Sequence, residues 1–98
     1  MPFEIERTAQ AEEDAWKAAE WYEEQEPGLG DRFLLALEET VVRLANEAGL
    51  YARRRADLRR LAIRRFAAYG IFYRISRDKV RIVAIFHGAR HPGRLRGR

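Results

Sequence analysis

Arginine carries most of the chemistry open to this chain. On a strand reading of residues 69–76 and 79–87, Arg74 stands directly across from Arg81. Two cations facing each other across a strand pair repel, so either an anion lies between them or both side chains reach over the apolar neighbours into solvent. A second concentration is Phe86-His87-Gly88-Ala89-Arg90-His91-Pro92, followed by Arg94 and Arg96 in a tail of arginine and glycine. There a histidine ends a strand, a glycine frees the backbone and Arg90 projects beyond the sheet, a common position for functional residues. His87 reads either as a contact residue or as a partly buried, satisfied histidine, and His91 reads as a solvated loop residue. Arg53-Arg54-Arg55, Arg59-Arg60 and Arg64-Arg65 add a basic stripe, which either takes phosphates or an acidic protein surface or simply lies in solvent.

Other chemistries lack their residues. The chain has no cysteine and two histidines, too few for a tetrahedral metal set, so neither a metal nor any other cofactor is expected. Ser76 is the sole serine, no Gly-x-Ser-x-Gly elbow occurs, and the glycines form no phosphate loop. The carboxylates of the first half, such as Glu23-Glu24, read as a solvated helix face. Tyr69, Phe72 and Tyr73 have spacing already used by a core, which makes a base-stacking platform the lesser reading.

The elements that position these residues follow from periodicity. Phe3 to Arg7 alternates as a strand does, and Thr8 is placed to cap a helix from Ala9 to Gln25, with Ala11, Ala15, Ala18 and Tyr22 on one face and Trp16 at its edge. Pro27-Gly28-Leu29-Gly30 interrupts, and a second helix opens near Asp31 with Phe33, Leu37, Val41, Leu44 and Ala48 inward and Gly49 as its C-cap. Two helices so closely joined form an antiparallel hairpin. After a basic connector from Tyr51 to Arg60, strands are expected over Leu61–Phe66, Tyr69–Ser76 and Lys79–His87, turning at Ala67-Ala68 and Arg77-Asp78. Ile75 then faces Val80, Tyr73 faces Ile82, Ile71 faces Ala84 and Tyr69 faces Phe86, giving the helices an apolar face to cover. The other face would carry Leu61, Ile63, Phe72, Val83 and Ile85 with Arg74 and Arg81, and no helix remains to cover it.

Size and charge bound the reading. The 98 residues, 47% hydrophobic and 35% charged, suit one soluble α+β domain over residues 1–98. No apolar run approaches a membrane span and the start resembles no signal peptide, so a cytoplasmic protein without a membrane partner is expected. The net charge of +4 hides a division: residues 1–50 hold 4 Lys or Arg against 13 Asp or Glu, and residues 51–98 hold 15 against 2. Either the halves neutralise each other within the fold, or the basic half draws an acidic partner.

The order and spacing of these pieces resemble the RelE/ParE toxins of bacterial type II toxin–antitoxin systems. The resemblance rests on Pro27 to Phe33 between the helices, Leu58-Arg59-Arg60-Leu61, the Tyr69 to Ile75 strand, and Val80 to Phe86 with the His87-Gly88-Ala89-Arg90-His91-Pro92 ending. It implies a strand, a helical hairpin and a three-stranded antiparallel ending, and a cognate antitoxin whose flexible segment wraps the toxin. RelE-like members cut mRNA on the ribosome with basic residues of the uncovered sheet face. Here Leu61, Ile63 and Gly70 stand where such residues are expected, the tail offers no counterpart of the nuclease tyrosine, and cleavage would rest on Arg74, Arg81 and Arg90. The helical connection and the His-Gly-x-Arg-x-Pro ending resemble the ParE branch instead, whose members arrest growth by binding DNA gyrase without chemistry of their own. On that branch the target contacts would be Arg90, His87, Arg94 and Arg96. The antitoxin contacts would be Leu61, Ile63, Phe72, Arg74, Arg81, Val83 and Ile85.

Overall fold

The computed structural model describes residues 2–51, 53–55 and 57–88, with side chains for all but 53–55. In chain order the elements are β1 (Glu4–Arg7), α1 (Ala9–Gln25), α2 (Leu29–Glu47), a 3-10 turn (Ala48–Leu50), β2 (Arg53–Arg55), β3 (Leu58–Ile63), β4 (Phe66–Ser76) and β5 (Lys79–His87). They form one sheet in the order β1-β5-β4-β3-β2, with β1 parallel to β5 and the other pairs antiparallel. The α+β architecture is the expected one, with a short edge strand, β2, added where a connector was expected. Among the described residues no helix is long and apolar enough to cross a membrane.

Thr8 begins α1 as expected, its Oγ1 accepting the Ala11 N–H at 3.1 Å. The buried face of α1 is Ala11, Ala15, Ala18 and Ala19, and this lack of bulk lets α2 approach closely. A Cβ on Gly30 would lie 2.6 Å from the Ala19 carbonyl oxygen, so only glycine fits this crossing. Glu23 bridges the connection: its carboxylate accepts the N–H groups of Gly28 at 2.9 Å and Gly30 at 3.0 Å. The cap of α2 is thus supplied by the preceding helix, and Gly28, at φ 87°, makes the turn. Trp16, expected at the core edge, is instead 61% exposed.

The end of α2 departs from expectation. Gly49 does not adopt the left-handed conformation of a C-cap, because the chain continues into the 3-10 turn. The Ala48 carbonyl accepts from the Tyr73 hydroxyl at 2.8 Å and from Arg59 Nη1 at 3.1 Å, so side chains of β4 and β3 close the helix. Burial pushes the Tyr73 hydroxyl pKa up to about 12.

The sheet begins as read and then slips. Ile75 pairs with Val80, Arg74 with Arg81 and Tyr73 with Ile82, but Phe72 pairs with Ala84, which leaves Val83 as an extra residue in β5. Beyond this bulge Ile71 faces Ile85 and Tyr69 faces His87, where Ala84 and Phe86 were expected. The first turn is also displaced: β3 starts at Leu58, the chain reverses at Arg64-Arg65, and Ala67 and Ala68 lie within β4. The helix-covered core contains Phe33, Leu37 and Leu44 from α2, Leu61 and Ile63 from β3, Ile71 and Tyr73 from β4, and Val80, Ile82 and Ile85 from β5. Arg7 joins β1 to α2 through two hydrogen bonds to Glu38, at 2.7 and 2.6 Å.

Two outcomes follow from these contacts. Gly30→Ala forces the helix backbones apart and lowers stability by about 1–3 kcal/mol, which urea or thermal unfolding measures. The Glu23 pKa is held below its ordinary 4.5 by the Gly28 and Gly30 N–H groups, and that of Glu38 by its hydrogen bonds from Arg7. The unfolded chain therefore binds more protons, so the stabilisation is complete above pH 4.5 and is lost as pH falls through the lowered folded values. The melting temperature should drop on acidification below pH 4.5, and in Glu23→Gln the part of that drop due to Glu23 should vanish.

Candidate functional site

The candidate residues divide between the two faces of the sheet and its ends. Leu61, Ile63 and Ile85 are not on the face away from the helices, where the sequence reading put them. The reading placed the first turn at Ala67-Ala68 instead of Arg64-Arg65, which moves Leu61 from opposite Arg74 to opposite Ile71, and it missed the Val83 bulge; a shift by an odd number of residues exchanges the faces of a strand. All three belong to the helix-covered core, and the Ile85 N–H donates to Asp14 Oδ2 of α1 at 3.2 Å, past the end of β1.

The far face carries a second cluster of Leu58, Phe72, Val83 and Ala84, with Phe86 packed against it. Phe72 is 5% exposed and Val83 is fully buried, so this face does not present the open apolar patch expected of it. Arg60 contributes to that burial: its guanidinium carbon lies 5.7 Å from the centre of the Phe72 ring, and Nη2 donates to the Ala67 carbonyl at 3.3 Å. The side chain runs along Gly70, where an added Cβ would stand 2.7 Å from the Arg60 Cζ. The sequence reading did not single out Arg60 for this place. Gly70 inside a strand pattern was the available signal, since such a glycine marks a close approach.

Arg74 and Arg81 do pair across β4 and β5 as expected. Arg81 has an anion within the chain, Glu6 of β1, with Nε 4.0 Å from the carboxylate at the parallel pairing position. Arg74, half buried, makes no hydrogen bond or ion pair with the described residues. His87 is exposed at the end of β5, its ring edge-on to Tyr69 at 5.3 Å. Tyr69 continues into a cluster with Tyr22, Phe33 and Phe66, and burial raises the pKa values of the Tyr22 and Tyr69 hydroxyls. Arg90, Arg94 and Arg96, like His91, lie outside the described residues. Among the described residues there is no cluster of three metal-ligating side chains.

The acidic and basic halves do not neutralise each other across the described residues. Arg7, Lys17, Arg32 and Arg43 pair with Glu38, Glu13, Glu26 and Glu47, all within the first half. The Arg81–Glu6 pair crosses between the halves. The helix layer is therefore left acidic. Large apolar side chains are exposed on that same layer, namely Trp16, Trp21, Leu35 and Val42.

Comparison with known proteins supplies the family. Residues 5–92 match the ParE toxin of type II toxin–antitoxin systems, parDE. The chain belongs to the ParE toxin family. The match takes in Arg74, Arg81, His87 and Arg90 and ends before Arg94 and Arg96. Among solved structures, the ParE chain is similar to one described as a chromosomal ParDE TA system from P. aeruginosa, with a TM-score of 0.77 and 19% identity over 88% of this chain and 96% of that one. At that identity the likeness is one of fold. No curated protein matches the sequence.

For a ParE chain with this geometry, Arg74 contributes repulsion toward Arg81 and makes no bond with the described residues. Arg74→Ala should leave the melting temperature unchanged or slightly raised, within about 0.5 kcal/mol of stability. A thermal scan of the purified variant checks this.

Proposed function

We propose that this ParE family member is a toxin that arrests growth in the cytoplasm by binding and inhibiting DNA gyrase, and that a cognate antitoxin neutralises it. The observation that carries the reading is the family match, which runs from β1 through the His87–Pro92 ending. The far face supports it as well. Its strand β3 contributes Leu58, Arg60 and Ala62, of which Arg60 is held over Phe72, and Arg81 is engaged with Glu6. Arg74 is unpaired with the described residues, but a guanidinium keeps its proton, so the set offers little to a phosphodiester reaction, which needs one group to move a proton as well as others to stabilise phosphate charge. A binding toxin needs neither.

In this reading Arg90, His87, Arg94 and Arg96 contact the target. The antitoxin meets Arg74 and Arg81 on the sheet and the exposed Trp16, Leu35 and Val42 of the helices, whose apolar area an amphipathic segment would cover. Phe72 and Val83 are buried within the chain itself and leave little surface for it.

Induction of the chain alone, followed within minutes by labelled thymidine and labelled methionine, separates the targets. Thymidine incorporation should fall first, and the purified protein should inhibit gyrase supercoiling; an earlier fall in methionine incorporation would mean a ribosomal target and refute the proposal. Arg90→Ala should lose growth arrest while still binding the antitoxin.

A further inference from the structure

Among the described residues, three other than glycine adopt left-handed backbone conformations: Asp57 at φ 66°, Arg65 at φ 69° and Arg77 at φ 59°. Aspartate tolerates this region, whereas arginine there carries strain that glycine or asparagine would relieve. Both arginines stand at hairpin tips. Arg77 is exposed and makes no ion pair with the described residues, but Asp78 follows it in the turn and Glu4 pairs with Lys79 next to it, so acidic positions lie close to that tip. The other tip is different. Arg64 and Arg65 are exposed, and neither side chain makes a hydrogen bond or ion pair with the described residues. The backbone beneath them is fixed all the same, because the Arg64 N–H donates to Oγ1 of the buried Thr40 at 3.3 Å. Two guanidinium groups are thus held out to solvent from a pinned, strained turn, where a glycine would have been the less costly residue.

The tip shares its end of the sheet with His87. The Gly88 N–H donates to the Ala68 carbonyl, Tyr69 pairs with His87, and β3 and β5 flank β4 at two strand spacings, roughly 10 Å. The same end holds the last turns of α1, since Tyr22 packs on Phe66 and Tyr69 with ring centres 4.8 and 5.7 Å apart. Those turns carry Glu20 and Glu24, neither in an ion pair with the described residues. A polyphosphate chain laid across this end would meet those carboxylates and be repelled. Discrete acidic side chains of a folded partner can engage the arginines and avoid them, and the planar guanidinium fork suits a carboxylate.

We propose that Arg64 and Arg65 form, with His87, a carboxylate-binding edge through which the toxin grips an acidic surface of its protein target. This rests on the target-binding reading above and extends it to the tip between β3 and β4. The strain at Arg65 makes the site testable: replacing it with a residue suited to φ 69° removes the cation and eases the backbone in one step.

The test uses Arg65→Gly and Arg65→Asn in the full chain, with Arg64→Ala beside them. Growth arrest on induction, gyrase inhibition, antitoxin binding and melting temperature are read for each. The two Arg65 variants should melt at or a few degrees above the unaltered protein and bind antitoxin normally. They should require roughly tenfold more protein for arrest and inhibition, and Arg64→Ala should share that loss. Arrest at the unaltered potency overturns the proposal, and so does a melting temperature lowered by more than about 5 °C in both Arg65 variants. Duplex DNA bound by the unaltered chain and released by Arg65→Gly would overturn the assignment to a protein partner. If the unaltered chain arrests growth without inhibiting gyrase, the gyrase reading falls and the arrest comparison still decides this one. If it does not arrest growth at all, both fall.

Discussion

The arrangement of this sheet depends on one inserted residue. Val83 has no direct counterpart in β4, and the bulge it makes exchanges the two faces of β5 between Ile82 and Ala84. Without it, Ala84 and Phe86 would turn toward the helices and Ile85 and His87 away. With it, Ile85 fills the core beside Ile71, and His87 comes to rest against Tyr69 at the end of the aromatic cluster. Which side of the sheet His87 faces at the strand end is decided by that slip.

The helices are fixed to the sheet by bonds that cross between elements. Glu23 of α1 caps α2, the Ala48 carbonyl at the far end of α2 is closed by Tyr73 and Arg59, and Arg7 of β1 holds Glu38. In each case a helix terminus or strand end is satisfied by a residue of another element, from five to seven positions away for Glu23 to 31 for Arg7 and Glu38. Such a bond is lost when packing is lost, which couples the layers in a domain too small to rely on apolar burial alone.

This distribution explains what could be read in the sequence. Local rules sufficed for α1, its Thr8 cap, the inward stripe of α2 from Phe33 to Ala48, β1, and the turn at Arg77-Asp78 with the pairs nearest to it. They failed where the determinant was distant or the pattern ambiguous. Residues 80–86 are apolar apart from Arg81, so alternation could not report a face change at Val83, and Ala67-Ala68 looked no worse a turn than Arg64-Arg65. Gly49 resembled a C-cap because the partners of the Ala48 carbonyl lie 11 and 25 residues further on. The far-face site was misread for the same reason: Leu61, Ile63 and Ile85 have the right residue type for either face, and only the register assigns them.

The charge division has a physical consequence that the pairing decides. Had the 15 cations of the second half been spent on the 13 anions of the first, the surface would be nearly neutral and a partner would have to be found by shape alone. Among the described residues the four cations of the first half are instead matched by carboxylates of that half, which holds nine further acids. Arg81–Glu6, at the exposed edge where β1 meets β5, is a weak link between the two. Opposite charges kept on separate layers attract less than charges in contact, and each layer keeps a field of its own. A partner that met both layers would need opposite charge along its length, whereas one confined to the basic end would need only acid. On the proposed function, that separation would let the fold distinguish a segment that wraps the chain from a surface that the chain grips.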